Sequence, residues 1–106
     1  MTSKEFVRNF YLEKANLLNL CFEDSNAYDI AKLISNLQLD PQKEEILKQI
    51  LDGVLRDAFY SILLGLDGAA QIGETQETYK IEDEGGNELT GGEIESHAWE
   101  YFHNRR

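Results

Sequence analysis

The chain reads as a mainly helical α+β domain, and three observations predict it. Apolar residues recur at helical spacing through three long segments, a period-two stretch bounded by glycines follows, and capping residues stand at most boundaries. The predicted order is helix, helix, long helix, β-hairpin, helix, in a single compact domain over residues 1–106. With 106 residues, 42% of them apolar and one proline, the chain is long enough to bury one modest core.

Thr2 and Glu5 have the spacing of a capping box and predict a first helix from Thr2 to about Leu20. Phe6, Val7, Phe10, Tyr11, Leu17 and Leu18 form its apolar face, with Lys4, Arg8 and Glu13 on the wet side. The connection EDSN (23–26) offers Ser25 or Asn26 as cap of a second helix, whose apolar set is Ala27, Ile30, Ala31, Leu33, Ile34 and Leu37. In LQLDPQKEE, Asp40 is a cap, Pro41 suits the first helical position, and Glu44 and Glu45 complement the positive end of the helix dipole.

The helix that starts there is long. Ile46, Ile50, Val54, Ala58, Ile62 and Leu66 form one row at i+4 spacing, and Leu47, Leu51, Leu55, Phe59 and Leu63 form another. Two such rows make a winding band that one neighbour alone cannot cover, so this helix is expected at the centre, with Ile50, Val54, Phe59 and Ile62 buried. Gly53 either interrupts it or lets another backbone approach closely. Gly65 and Gly68 are candidates for its C-terminal cap.

Beyond it AAQIG is a strand or an irregular link. QETYKIED alternates Thr78, Lys80 and Glu82 against Tyr79 and Ile81, EGGN is a turn, and NELT is a returning strand, which together predict the hairpin. Thr90 and Glu93 repeat the capping-box spacing before a last helix, where Ile94, Ala98, Tyr101 and Phe102 form a stripe with Trp99 at its flank.

Charge narrows the partners. The net charge is −10, and it is uneven: residues 1–66 carry ten acids and seven bases, a balance of −3, whereas residues 67–106 carry ten acids and three bases, a balance of −7. Such a surface repels nucleic acid and anionic membranes and attracts a basic protein partner. No apolar run has the length of a membrane span, and MTSKEFVRNF lacks the uninterrupted apolar region of a signal peptide. Cys21 is the single cysteine, set in LLNLCF with no His nearby, so it reads as a small buried hydrophobe in a reducing compartment, and the expected location is the cytoplasm.

Catalytic constellations are sparse. In YKIEDEGGNELTGGEIE (79–95), Asp83 is followed by Glu84, Gly85, Gly86 and Asn87, which breaks the alternation of an EF-hand loop. Glu100 and His103 form a Glu-x-x-His pair and Glu93 and His97 lie four apart, but both histidines sit on one helix, and a di-iron bundle needs a second such pair and further glutamates from other helices. A polar outer face is the plainer reading, and neither a metal nor a cofactor is expected. Ser3, Ser25, Ser35, Ser61 and Ser96 lack a nucleophile-elbow context, and no phosphate-binding loop follows the glycine pairs. The expectation is therefore a protein without enzymatic activity.

Tyr60, Tyr79, Trp99 and Tyr101 cannot all be central core by their periodic positions. Aromatics beside carboxylates supply rigid contact area while the acids steer a basic partner. Glu82, Asp83, Glu84, Glu88, Tyr79 and Trp99 are accordingly the predicted partner-binding residues.

The segment FYSILLGLDGAAQIGETQETYKIEDEGGNEL, continuing through IESHAWEYFH, resembles small acidic bacterial proteins of the immunity type, in its Leu-Asp-Gly turn (66–68), tyrosine strand and Asp-Glu-Gly turn. The likeness covers about the last half of the chain. It implies a compact, non-catalytic protein that neutralises a toxin of a polymorphic or contact-dependent system by binding it. Two other classes stand beside that reading: a helical homo-oligomer with a regulatory or housekeeping role, suggested by the overlarge apolar band on the long helix, and a small metalloenzyme in which His97, Glu100 and His103 meet acids of another subunit.

Overall fold

Thr2 accepts the Glu5 backbone N–H through its hydroxyl at 3.1 Å, while the Glu5 carboxylate takes the Thr2 N–H, so the capping box forms as the sequence predicts. These bonds hold the Glu5 carboxyl below its ordinary range. The computed structural model describes residues 1–24 and 27–104. Helix α1 spans Ser3–Cys21, α2 Asp29–Asn36, α3 Pro41–Leu66 and α4 Ile94–Trp99, and α4 runs on into a π-helical turn, Glu100–Asn104.

The start of α2 falls after Tyr28, which contributes no side-chain cap; the expected caps, Ser25 and Asn26, lie outside the described residues. Asp40 caps α3 by accepting the Lys43 N–H at 2.9 Å, with Pro41 in the first turn. The helix then runs unbroken through Gly53 and stops at Asp67. Gly68, at φ +78°, donates to the Gly65 carbonyl at 3.1 Å, and Ala69 donates to the Leu64 carbonyl at 2.9 Å. This is the paired reversal that closes many helices, and it needs the left-handed backbone that glycine adopts without strain. Gly65 serves packing instead: the Ile72 side chain fills the space that a Cβ there would take.

Helices α1 and α3 run antiparallel, since Lys14 pairs with Asp52 at 2.8 Å while the earlier Phe10 meets the later Phe59 edge-on at 6.1 Å. Helix α4 closes over them at one end. There Val7, Leu63, Ile94, Ala98, Tyr101 and Phe102 form the buried core, with Phe6, Phe10, Tyr11, Phe59 and Tyr60 packed around it. The stripe Ile94–Ala98–Tyr101–Phe102 is buried as predicted, and Tyr11 meets the Tyr101 and Phe102 rings at 5.5 and 5.8 Å. The wider π-helical turn carries the adjacent Tyr101 and Phe102 into the same core.

Two expectations are overturned. The central helix is covered on one side only: Ile46 is 51% exposed, Ile50 55%, Val54 59% and Ile62 42%, while Leu63 is buried and Leu47, Leu51, Leu55 and Phe59 are half-buried. Of the predicted core set Ile50, Val54, Phe59 and Ile62, only Phe59 packs against the core. The core sits at the C-terminal end of α3, and its N-terminal half projects beyond it. The molecule is correspondingly long, 46 × 27 × 26 Å, with a radius of gyration of 16.3 Å, against about 13 Å for an evenly packed chain of this length.

The hairpin is the second correction: no strand forms among the described residues. Residues 81–89 make a turn closed by one bridge, Glu82 to Glu88, with Leu89 donating to the Ile81 carbonyl at 2.7 Å. The ladder stops because Ile81 gives its own N–H to the Thr90 hydroxyl, at 3.1 Å, and Leu89 leaves the turn for the protein interior. Tyr79 and Lys80 stay exposed and belong to none of the bridges among the described residues. A second short bridge, Ile72 to Thr75, closes the link that AAQIG begins.

Candidate functional site

The 81–89 turn packs on the start of α1, and between them lies a groove of about 640 Å³. Phe6 and Phe10, one helical turn apart, face Ile81 and Leu89 across it, and Glu82, Asp83 and Glu84 stand on its wall. The Ser3 hydroxyl ties the two sides together by donating to the Leu89 carbonyl at 2.9 Å. The lining is therefore aromatic and aliphatic below, anionic on one wall, and built on a helix.

The carboxylates do not share one role. Glu82, Glu84 and Glu88 are exposed, with Glu82 also in a surface ion pair with Lys80 at 3.2 Å. Asp83 is engaged within the chain. It accepts from the N-terminal ammonium of Met1 at 2.7 Å, from the Gly85 and Asn87 backbone N–H groups at 2.9 Å each, and from the Asn87 amide. With 15% of its side chain exposed, it organises the turn rather than offering a free charge.

The Met1 ammonium first, then Asn87, holds the Asp83 carboxyl well below the usual carboxylate range, and Asp83 in turn raises the Met1 ammonium above its ordinary value of 8.0. The depressed acid contributes order above its unfolded value, about pH 4, and loses it as pH falls through the lower folded value. The raised amine contributes below about pH 8 and loses its part as pH rises through its folded value. Amide chemical shifts of Gly85 and Asn87 are therefore expected to stay flat from about pH 8 down to below about pH 4. A transition of these amides centred near pH 4 would show that Asp83 is an ordinary solvated acid.

Of the predicted site, the groove gathers Glu82, Asp83 and Glu84. Glu88 stands across the bridge from Glu82, and Tyr79 lies exposed on the approach to the turn. Trp99 is elsewhere. It is half exposed on α4 and stacks on His103 at 4.5 Å, and His103 in turn meets Tyr60 edge-on at 4.4 Å. Burial and, less, the charge of Glu95 push the Tyr60 hydroxyl up. Phe6 and Phe10 were missed as groove residues because their spacing is equally that of a core face. Their position one turn after the capping box, where a helix start meets other chain segments, was the available signal.

Asp67 is a further residue that sequence spacing did not reveal. One of its oxygens accepts the N–H groups of Gly91 and Gly92 at 3.0 and 2.8 Å, and the other accepts that of Glu95 at 3.2 Å. It thus caps α4 from the end of α3. Thr90, expected to cap α4 with Glu93, is instead buried with its hydroxyl on Ile81, and Glu93 gives no side-chain cap.

Cys21 is buried, and burial pushes its thiol up, away from the reactive thiolate. Among the described residues no group of three or more His, Cys, Asp or Glu is placed to hold a metal ion, and no helix is long and apolar enough to cross a membrane. Glu93 is exposed, while His97, Glu100 and His103 are half-buried along α4 and the π-helical turn. No family model matches the chain, and neither a curated protein nor a solved structure does.

Proposed function

We propose that the protein is a non-catalytic protein-binding module whose groove between α1 and the 81–89 turn takes an apolar and basic segment of a partner protein. The observation that carries this reading is the pairing of an apolar lining, Phe6, Phe10, Ile81 and Leu89, with the exposed acids Glu82 and Glu84 at its wall. Aromatic surface supplies the contact area, and rim carboxylates steer a cationic partner and fix its register. The excess of −7 in residues 67–106 extends the attraction beyond the groove. The resemblance to immunity-type proteins gives the proposal its specific form, inhibition of a basic toxin by occupying its Lys and Arg side chains. A reducing compartment such as the cytoplasm suits the lone free thiol.

Affinity capture with the wild-type chain and with Glu82→Gln/Glu84→Gln/Glu88→Gln side by side tests it. The expected result is a basic protein held by the wild type, released by salt, and bound more slowly by the variant, since exposed charges are screened over about 8 Å at physiological ionic strength. The same protein held equally by both chains at low salt, or none held by either, overturns the proposal. Asp83 is left intact so that the turn keeps its shape.

A further inference from the structure

The exposed row on α3 carries a second inference, independent of the groove. At 100° per residue, Lys43, Ile46, Ile50, Val54 and Asp57 fall on one face of the helix, which runs about 21 Å from first to last. The three apolar side chains in its middle are each more than half exposed. Gly53 lies on the flank of this face, and a Cβ there would meet only the Arg56 guanidinium, at 3.9 Å. A glycine inside a helix weakens it, and nothing packed on this position within the chain needs the missing side chain.

We propose that this face is a homodimer interface, in which α3 packs antiparallel on α3 of a second copy about a two-fold axis at Ile50. The charge pattern points to that occupant and to that direction. Lys43 and Asp57 each lie seven residues from Ile50, so an antiparallel pair brings Lys43 of each copy to Asp57 of the other, and Ile46 of each to Val54 of the other. A parallel pair would set Lys43 on Lys43 and Asp57 on Asp57. Lys43 is in none of the ion pairs among the described residues, and Asp57, with 69% of its side chain exposed, pairs only with its neighbour Arg56.

The overall charge of −10 does not stand in the way, because little of it is here. Residues 41–66 hold four acids and three bases, a balance of −1. Gly53 then has a role, since it lets the facing backbone come close beside the axis. A half-open Ile, Leu or Val offers on the order of 100 Å². Ile46, Ile50 and Val54 together give roughly 300 Å², and the stems of the flanking polar side chains add to this, which stays below the ~800 Å² per partner of a standard interface. The dimer is accordingly a reversible one, dependent on concentration.

Sedimentation velocity of the full chain over roughly 1–200 µM reads the monomer–dimer equilibrium directly. The wild type is expected to dimerise within that range, and Ile50→Glu, which sets two acids against each other at the axis, to remain monomeric with unchanged circular dichroism. Lys43→Asp alone is expected to weaken association at least about tenfold, and Lys43→Asp/Asp57→Lys together to restore it to within about threefold. That rescue separates the antiparallel pairing from unspecific apolar contact. A wild type that stays monomeric throughout means that the face serves another partner and overturns the proposal. So does a dimer indifferent to Ile50→Glu, or a double variant no better than the single one.

Discussion

Leu63→Ala is expected to lower the unfolding free energy by about 3–5 kcal/mol, the largest effect of any single leucine in the chain. Leu63 is fully buried where α1, α3 and α4 meet, alongside Val7, Ile94 and Phe102. Deleting its branched end removes contacts on every side, and three helices fixed by one another cannot collapse far into the gap. Against a total stability of about 5–15 kcal/mol for a domain, such a loss removes a large share of the margin. The same substitution at Leu37, 60% exposed just after α2, is expected to change stability by less than about 1 kcal/mol. Denaturant melts of the two variants check the pair, and equal shifts would mean that the core is not concentrated at the α4 end.

Asp67→Ala is expected to cost about 1–2 kcal/mol, the range for losing a helix cap. Helix α4 has six residues before its π-helical turn, too few to hold its shape without tertiary support. Asp67 accepts one N–H of the first turn, that of Glu95, and those of Gly91 and Gly92 just before the helix, and so ties the start of α4 to the end of α3. Asp67→Asn keeps the shape but not the charge, and an intermediate loss is expected. Trp99, on α4, provides the local readout: its near-ultraviolet circular dichroism should weaken in the alanine variant before the far-ultraviolet signal does. An alanine variant with the wild-type melting curve and Trp99 signal would reduce this cap to a solvated contact.

The helices were legible in the sequence because their signals are local. Thr2 with Glu5 and Asp40 with Pro41 mark boundaries through side chains three residues from the groups they bind, and the structure has both caps. The stripe Ile94–Ala98–Tyr101–Phe102 was legible for the same reason. What could not be read is which of two apolar rows on α3 faces inward, since Ile50 and Leu51 are both strongly apolar and only the placement of the neighbouring helices, α1 beside Asp52 and α4 beyond Phe59, separates them. The hairpin failed on competition for donors. Period two describes where side chains point, but Ile81 bonds a hydroxyl rather than a strand, and that choice is made by Thr90 nine residues away. Asp67 lies at least 24 residues from the N–H groups it caps, beyond any spacing rule. In the candidate groove the turn's acids were found, but their division of labour was not: Asp83 differs from Glu82 and Glu84 in its shorter side chain and in the Met1 ammonium and the amides that surround it.

The core's position at one end also sets how the chain must fold. Tyr11 and Phe102 touch across 91 residues of sequence, and four of the six core residues come from residues 94–102. Closing a loop of that length in one step costs roughly 4 kcal/mol of chain entropy, and about 3 kcal/mol for the 28 residues from Leu66 to Ile94 once α1 and α3 have paired. Helical proteins usually fold fast because most of their contacts are local. Here α1 and α3 can meet early through their antiparallel seam, but the interior stays open until the last segment docks. Folding speed in this protein is therefore expected to be set by the arrival of α4 rather than by helix formation.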